Sequence, residues 1–274
     1  MNLSYDPSKP FAASREATES WWLGMPLGAV PERAILTLAL DIPTADFLAL
    51  LGDAHLLPST TEYHVITGSY AGTPVVVVYH GSGPLSISVA IEELARLGVK
   101  TIVRAGNSGG LSTAVAVGDT VVVTAAVRAE RMLLDYVPLE FPAVSAHSLV
   151  TSLAQSATLH ASGTVHEGFV VSVATFYPGS GMPTAIGVIN HEQVDRLRLW
   201  QHLGALCIDA ETSTVLVLAS LFGMHGGAIL GIGNHLETGA GAHLTRTDSL
   251  ARPALHAITR IEPPQTARTP SPKR

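Results

Sequence analysis

The sequence is poor in cysteine, and this excludes two kinds of architecture. Cys207 is the single cysteine among 274 residues, so neither an intramolecular disulfide framework nor a cysteine-based zinc site can form. A chain of this kind suits a reducing compartment, and we expect a cytoplasmic protein. The neighbours of Cys207 are apolar, which is typical of a buried, unreactive thiol.

Charge and long apolar runs are also scarce. Charged residues make up 14% of the chain and hydrophobic residues 47%, a composition that predicts a large core and favours self-association. The formal net charge is -6, and no basic run precedes the carboxyl-terminal tail, so the charge pattern of a nucleic-acid binder is missing. No apolar run approaches the roughly 20 residues that span a bilayer, and the first residues lack a signal-peptide pattern. We therefore expect no nucleic acid and no membrane among the partners.

Short apolar runs alternate with helical patterns from about residue 30 onward. Strands are predicted at 34–40, 74–79, 100–104, 120–128, 168–173, 206–208 and 227–233, helices at 86–97, 192–203 and 213–222, and a turn of small residues at 106–110. This alternation is typical of a single-domain, three-layer α/β/α fold with a mixed central β-sheet. The polar, proline-containing ends at 1–20 and 262–274 predict disordered tails around a domain at 21–261.

A glycine-rich segment follows the predicted strand at 100–104 and is the first candidate for the floor of a small-molecule pocket. The strand delivers Arg104 into small residues that include Asn107, Ser108 and Gly109, at the position where open α/β sheets bind ligands. A half-buried guanidinium needs an anionic or hydroxyl-rich partner. A ligand and a structural salt bridge both meet that need.

Two further junctions between a strand and a helix carry candidate groups. At Gly81 and Gly83 the backbone N–H groups of a helix start can approach an anion, or the glycines can serve a tight packing turn. Asp209 and Glu211 precede an apolar helix. One of these carboxylates can cap the helix while the other faces a pocket and accepts hydrogen bonds from sugar hydroxyls.

Aromatic and polar side chains mark two more candidate positions. Phe176 and Tyr177 stand in a Thr-Phe-Tyr-Pro-Gly loop, where they either stack against a planar ring or pack a corner. Asn234 and His235 end a predicted buried strand, and strand ends are where such folds place chemistry.

Four stretches in combination identify a family. They are Gly-Val-Lys-Thr-Ile-Val-Arg-Ala-Gly-Asn-Ser-Gly-Gly at 98–110, Pro-Leu-Glu-Phe-Pro-Ala-Val at 138–144, Thr-Phe-Tyr-Pro-Gly at 175–179 and Asp-Ala-Glu-Thr at 209–212. Their order resembles the nucleoside phosphorylase superfamily, and within it the uridine phosphorylases, over about residues 22 to 260. The resemblance implies an enzyme that splits the bond between base and ribose by attack of phosphate at C1′, without a cofactor, in homodimers or hexamers with shared sites.

The resemblance also implies roles for single residues. Arg104 matches the arginine shared by phosphate and ribose, Glu211 the carboxylate that grips the ribose hydroxyls, and Phe176 with Tyr177 the wall beside base and sugar. Asn234 falls where purine-cleaving relatives carry the aspartate that protonates the leaving base. The other substrate-binding positions implied are Gly81, Asn107, Ser108, Gly109, Ala210 and Trp22, and His235 is the alternative proton donor.

Two implied features concern a neighbouring subunit. Trp22 falls near the histidine that reaches the ribose 5′ side in the family, and a tryptophan there favours an apolar or altered 5′ group. Glu62 and Ser86 match residues that hold a monovalent cation between subunits. A surface carboxylate and a helix-start serine are the alternative interpretation of that pair.

The phosphate-binding part of the family pattern is replaced. Its Pro-Gly-Asp-Pro-x-Arg loop reads Ala-Leu-Asp-Ile-Pro-Thr-Ala-Asp at 39–46, and its second arginine falls at Thr61. Losing two of three arginines weakens phosphate as a co-substrate, since each charge-assisted hydrogen bond is worth about 1.5 to 3 kcal/mol. Asp41 or Asp46 can instead activate a water molecule, as in nucleosidases of the same superfamily.

The uracil-reading Gln-x-Arg of the family is replaced as well, by Ser-Gly-Met at 180–182, so uracil preference is unsupported. The leading hypothesis is uridine-phosphorylase-like cleavage of the N-ribosidic bond of a nucleoside or modified nucleoside, with phosphorolysis as the family's reaction. Three alternatives stay open: hydrolysis assisted by Asp41 or Asp46, nucleoside binding without catalysis, and a different reaction in the same pocket.

Overall fold

The computed structural model describes residues 20–26, 30–58, 62–241 and 250–264. Of the two predicted tails, only residue 20 and residues 262–264 fall within these ranges, and Thr61 lies outside the described residues as well. The disorder of the tails and the domain boundaries at 21 and 261 stay predictions. None of the helices in the described part of the chain is long and apolar enough to cross a membrane.

Nine strands within the described residues form one mixed sheet. They are β1 Arg33–Thr37, β2 Gly52–Leu56, β3 His64–Tyr70, β4 Thr73–Tyr79, β5 Thr101–Gly110, β6 Thr120–Arg128, β7 Val165–Ser172, β8 Cys207–Asp209 and β9 His225–His235. Their order is β2-β3-β4-β1-β5-β8-β7-β6-β9, and β9 also pairs with β5. The five strands from β5 to β9 therefore close into a ring, from which β1, β4, β3 and β2 extend as an open wing.

Helices cover both faces of this sheet. They are α1 Thr44–Leu50, α2 Pro84–Arg96, α3 His147–His160, α4 His191–His202, α5 Thr212–Leu221 and α6 Ala251–Ile258. Alternate residues of β4 point to opposite faces, so that Val76 packs in a cluster with α2 and α5, and Val77 in a second cluster with α1, α3 and α6. The expected α/β fold with a mixed central sheet is confirmed.

One local prediction is wrong. The segment 106–110 is not a turn but the second half of β5, which runs parallel to β9 as far as Gly110. The glycines are needed for close approach rather than for turning: a Cβ on Gly109 would lie 2.7 Å from a methyl carbon of Leu236, and one on Gly110 2.8 Å from the ring of His235.

The register of the sheet brings the candidate residues together. β4, β1 and β5 are neighbouring parallel strands, and Leu36 of β1 pairs with both Val78 of β4 and Arg104 of β5. The predicted strand 34–40 ends at Thr37 because the chain turns there, with the N–H groups of Asp41 and Ile42 donating to the carbonyl of Leu38. The carboxyl ends of β1 and β4 therefore open beside Arg104.

Candidate active site

Arg104 lies at the centre of a buried polar cluster and is 1% exposed. Its Nε donates to Oδ2 of Asp209 over 3.0 Å and its Nη2 to Oε2 of Glu211 over 2.7 Å. Its Nη1 is 3.7 Å from Oδ2 of Asp41. Burial acts to lower the pKa of Arg104, but the charges of Glu211, Asp209 and Asp41 raise it further, so the guanidinium stays charged. One cation thus faces three carboxylates.

Asp209 and Glu211, the two carboxylates ahead of α5, make different contacts. Asp209 accepts hydrogen bonds from the backbone N–H of Thr212, over 2.9 Å, and from the hydroxyl of Ser172, over 2.7 Å. It therefore satisfies the first backbone N–H of α5 and holds Arg104 at the same time. Oε1 of Glu211 accepts a hydrogen bond of 2.8 Å from the backbone N–H of Gly83, which ties the start of α5 to the start of α2. Ala210, which separates Asp209 from Glu211 in the sequence, is half-buried.

Asp41 is the carboxylate that the turn after β1 brings to Arg104. It is 8% exposed, and burial raises its pKa to about 6 despite the nearby charge of Arg104. The backbone N–H of Asn107, a buried residue, is bonded to it. Asp46, the other predicted water-activating residue, stands half-buried in the first turn of α1. The structure thus places Asp41 at the cluster and Asp46 one helical turn further along.

His80 belongs to the candidate glycine-containing segment but was given no role of its own from sequence; it follows β4 at this same edge. Its backbone N–H donates to the carbonyl of Thr37 over 3.0 Å, and its Nδ1 lies 2.7 Å from the carbonyl of Gly81. Nδ1 therefore carries the proton. Burial, and then the charge of Arg104, lower the pKa of His80 to about 3, so the ring is neutral. Its place directly before Gly81 and Gly83 was the available signal.

Glu62 and Ser86, the predicted ligands of a monovalent cation, both lie beside Gly81. The N–H of Gly81 donates to Oγ of Ser86 over 2.9 Å, and a Cβ on Gly81 would lie 2.6 Å from Oε1 of Glu62 and 3.1 Å from Oγ of Ser86. Carboxylate and hydroxyl oxygens suit a hard cation. The described residues contain no group of three or more histidine, cysteine, aspartate or glutamate side chains that could hold a metal, so a cation there needs further ligands.

The predicted aromatic wall lies on the surface of the described chain. Phe176 and Tyr177 are 64% and 61% exposed and pack edge to face on each other, with centroids 5.4 Å apart. Trp22 is 46% exposed, its ring edge meets Tyr63, and its backbone N–H donates to the carboxylate of Glu93 over 2.9 Å. No ring contact or hydrogen bond among the described residues joins these three aromatics to Arg104.

The end of β9 supports the floor of the site. Nε2 of His235 lies 2.9 Å from the carbonyl of Ser112, and Nδ1 accepts the N–H of Thr238 over 3.4 Å. Both ring nitrogens are thus occupied by backbone groups, which is the pattern of a structural histidine. Asn234 pairs with Gly109 in the sheet, and the hydroxyl of Ser108 donates to the carbonyl of Gly231 over 3.1 Å.

A cavity of about 350 Å³ lies in a different part of the molecule, between α3 and α6. Ser152, Gln155, His256 and Arg260 are among its lining residues, and none of the candidate residues lines it. Helices α3 and α6 pack on the face of the sheet opposite α2 and α5. The candidate site is therefore defined by its buried polar groups and not by this cavity.

Comparison with known proteins identifies the family of this chain. Residues 33–259 match the model of a family described as the phosphorylase superfamily. The uridine phosphorylase of Escherichia coli (strain K12) is 34% identical over 185 residues, which cover 67% of this chain and 73% of that protein. The guanosine phosphorylase of Halorubrum lacusprofundi is 32% identical over 211 residues, which cover 77% of this chain and 82% of that protein.

Solved structures give the same result for the fold. A crystal structure of uridine phosphorylase from Vibrio fischeri ES114 matches with a TM-score of 0.72 at 23% identity, over 82% of this chain and 88% of that chain. At this identity the likeness concerns the fold. The fold expected from the sequence resemblance is confirmed.

Proposed function

The chain belongs to the phosphorylase superfamily, and we propose that it cleaves the N-ribosidic bond of a nucleoside. The observation that carries the proposal is the buried contact between Arg104 and Glu211, 2.7 Å long, because it unites the two groups that this reaction needs at the sugar. The relatives named above act on nucleosides by name, one on uridine and one on guanosine.

Glu211 is oriented to hold the ribose. Its Oε1 accepts a hydrogen bond from the N–H of Gly83 and its Oε2 one from Arg104, and the backbone N–H of Ala210 also bonds to the carboxylate. A carboxylate oxygen can accept a second one, so vicinal sugar hydroxyls can donate to an anchor that is already fixed in place. Breaking the bond at C1′ leaves positive charge on the sugar, and the excess of carboxylates over cations in this buried cluster stabilises that charge.

Phosphate is the acceptor that the names of the relatives indicate, and phosphorolysis is the default form of the proposal. A second candidate, hydrolysis, is favoured by the position of Asp41. This carboxylate lies 3.7 Å from Arg104, and its pKa of about 6 leaves it ionised but still basic at neutral pH. The same negative charge repels a phosphate dianion.

The base is the least constrained part of the substrate. The relatives include phosphorylases named for a pyrimidine and for a purine nucleoside, and Ser180 and Met182 stand where the uridine phosphorylase pattern has its uracil-reading pair. We propose that Phe176 and Tyr177 stack on the base, and that Asn234 contributes a hydrogen bond and not a proton to it. A modified nucleoside fits such a site.

Assembly completes the proposal. Trp21, Trp22, Phe176 and Tyr177 are large, exposed aromatic side chains, and such surfaces are typical of protein interfaces. We propose a cytoplasmic homodimer or hexamer in which a neighbouring subunit brings further groups, with Glu62 and Ser86 as ligands of a monovalent cation at the subunit boundary. A monomer in light scattering at the concentration of the activity assay would contradict the shared site.

The proposal is tested with a panel of nucleosides incubated with the protein, with and without phosphate and with arsenate. Release of free base supports N-ribosidic cleavage, and dependence on phosphate or arsenate supports phosphorolysis. A rate of base release that neither phosphate nor arsenate changes supports the hydrolytic candidate. Tight binding of nucleosides without turnover of any of them would contradict the proposal and favour a binding protein.

A further inference from the structure

We infer that Asp41, His80 and Arg104 bind the attacking nucleophile as a single water molecule, which His80 positions for attack on C1′ of the nucleoside. The inference rests on the proposed N-ribosidic cleavage and decides its acceptor. It assigns a role to His80, a buried histidine that belongs to none of the sugar or base contacts described above.

Three buried polar atoms in this cluster need a hydrogen-bond partner, and one bound molecule can serve all three. Nη1 of Arg104, Oδ2 of Asp41 and Nε2 of His80 are buried and have no hydrogen-bond partner among the described residues. A buried polar atom without a partner is costly, and native proteins satisfy such atoms with water or a ligand. These three come from the ends of β1 and β4 and from β5, which are adjacent parallel strands.

The three groups lie at one edge of the sheet, because β1 pairs with both β4 and β5. The charge of Arg104 lowers the pKa of His80 and of Asp41, and its Nη1 lies 3.7 Å from Asp41. That distance is too long for a direct hydrogen bond but suits a molecule that touches both groups. A Cβ on Gly106 would collide with Nη1 and lie 2.6 Å from Oδ2 of Asp41, so the absence of a side chain at Gly106 leaves room beside both atoms.

The hydrogen-bonding pattern of the three atoms matches water. Nη1 is a donor, whereas an ionised Asp41 and the deprotonated Nε2 of His80 are acceptors. One water molecule accepts from Arg104 and donates to Asp41 and His80, which satisfies all three. A phosphate dianion has a single O–H to donate, whereas two of the three positions need a donor.

The charge of the cluster points the same way. One guanidinium faces the carboxylates of Asp41, Asp209 and Glu211, and α1, which follows Asp41 directly, contains no basic residue. A phosphate dianion would add two negative charges to a site that is already negative. A neutral nucleophile does not meet this penalty.

The reaction balances without any further reactant. The oxygen of the water forms a bond to C1′, the C1′–N bond breaks, and its electron pair goes to the base nitrogen. One proton of the water passes to Oδ2 of Asp41 and from there through solvent to the base, which gives ribose and free base. His80 keeps the second hydrogen of the water in a hydrogen bond and takes no proton, because burial and Arg104 hold its pKa at about 3.

The first experiment follows the acceptor. The full-length protein is incubated in ¹⁸O-labelled water with a nucleoside that it cleaves, with and without inorganic phosphate, and the sugar product is analysed by mass spectrometry. We expect ribose that carries one ¹⁸O atom, at a rate that phosphate does not change. Ribose 1-phosphate as the product would overturn the inference and leave the proposed cleavage intact. Failure to cleave any nucleoside would overturn both.

A pair of variants tests His80 itself. His80→Asn keeps a donor near Nδ1 for the carbonyl of Gly81 but removes the acceptor at Nε2, whereas His80→Gln keeps a carbonyl oxygen near the position of Nε2. We expect His80→Asn to lower kcat on the order of 10²-fold with little change in KM, since misplacement of a reacting group costs about this much. His80→Gln should restore most of kcat.

Thermal melting and the KM of both variants show whether they fold and bind. An equal loss of kcat in the two variants, or a change confined to KM, would overturn the role of His80 as the acceptor that positions water. Unchanged kcat in folded His80→Asn would overturn it as well.

Discussion

Oε2 of Glu211 accepts a hydrogen bond of 2.7 Å from Nη2 of Arg104, and this contact joins β5 to the start of α5 inside the protein. Both residues are buried: Arg104 is 1% exposed and Glu211 is 4% exposed. The contact fixes the carboxylate that we propose to bind the sugar at the edge of the sheet where β1 and β4 end. Asp41 and Gly106 are the neighbours of this contact on the side of Nη1 of Arg104.

Replacing Glu211 by alanine removes the proposed anchor of the ribose hydroxyls. We expect the affinity for nucleosides, measured by isothermal titration calorimetry, to fall by at least about 1.5 to 3 kcal/mol, the value of one hydrogen bond to a charged group. Free base should bind as before, because it lacks the sugar. Glu140→Ala, on an exposed loop residue, is the control. Unchanged nucleoside affinity in a folded Glu211→Ala protein would remove Glu211 from the site.

Asp41 makes stability depend on pH. Its pKa is raised from 3.8 to about 6 on folding, so the folded protein binds this proton more tightly than the unfolded chain does. The stabilisation is present below pH 4 and is lost as pH rises through 6, by up to about 3 kcal/mol. Asp41→Asn should therefore gain stability relative to the wild type between pH 4 and pH 8, measured by urea unfolding.

Asp46→Asn is the matched control for this pH effect, because Asp46 is an aspartate of the same segment that is only half-buried. Its stability relative to the wild type should not rise between pH 4 and pH 8. If Asp41→Asn and Asp46→Asn behave alike, the carboxylate of Asp41 does not experience the burial described here.

The same carboxylate should set the pH dependence of the proposed hydrolysis. Only ionised Asp41 can accept the proton of water, so kcat/KM should rise with pH up to about 6 and then level off. Arg104 of β5, Asp209 of β8 and Glu211 ahead of α5 face this group, and the two carboxylates raise its pKa while the arginine lowers it. Asp41→Asn should lose the inflection together with most of kcat. An inflection that persists in this variant belongs to another group.

Gly106 holds the space beneath Arg104. A Cβ there would collide with Nη1 of Arg104 and crowd Oδ2 of Asp41, and both atoms belong to a buried ion cluster that cannot move freely. We expect Gly106→Ala to lower the free energy of unfolding by about 1 to 3 kcal/mol and to reduce base release. Gly83→Ala is not a suitable control because Gly83 has a φ of 92°. Gly52→Ala, on an exposed edge strand, is suitable.

Strong local patterns explain which elements were predictable from sequence. The apolar runs of β4, β6 and β9 and the apolar face of α2 were found to within a few residues, because each is a long run of one period. Strands β2 and β3 and helices α1, α3 and α6 were missed. Strand β2 is mostly exposed and α1 has only seven residues, so tertiary pairing and not local pattern decides their structure.

The candidate site was predictable in its chemistry but not in its geometry. Arg104, Glu211 and Asp41 were found from strand ends and from the family resemblance, whereas the choice between Asp41 and Asp46 depends on a turn whose path no local pattern determines. His80 was given no role because its place at this edge depends on how β4 aligns with the neighbouring strand β1. The segment 106–110 was taken for a turn because glycine, asparagine and serine favour turns, although here the glycines serve close packing against β9.

N-ribosidic cleavage with Glu211 as the ribose anchor is tested by the release of free base from a panel of purine and pyrimidine nucleosides, compared between the wild type and Glu211→Ala. This assignment predicts that the wild type releases base from at least one nucleoside, and that Glu211→Ala does so at least about 10²-fold more slowly while it melts as a folded protein. Turnover of the same nucleoside at the wild-type rate by Glu211→Ala, or no base release by the wild type from any nucleoside, would contradict it.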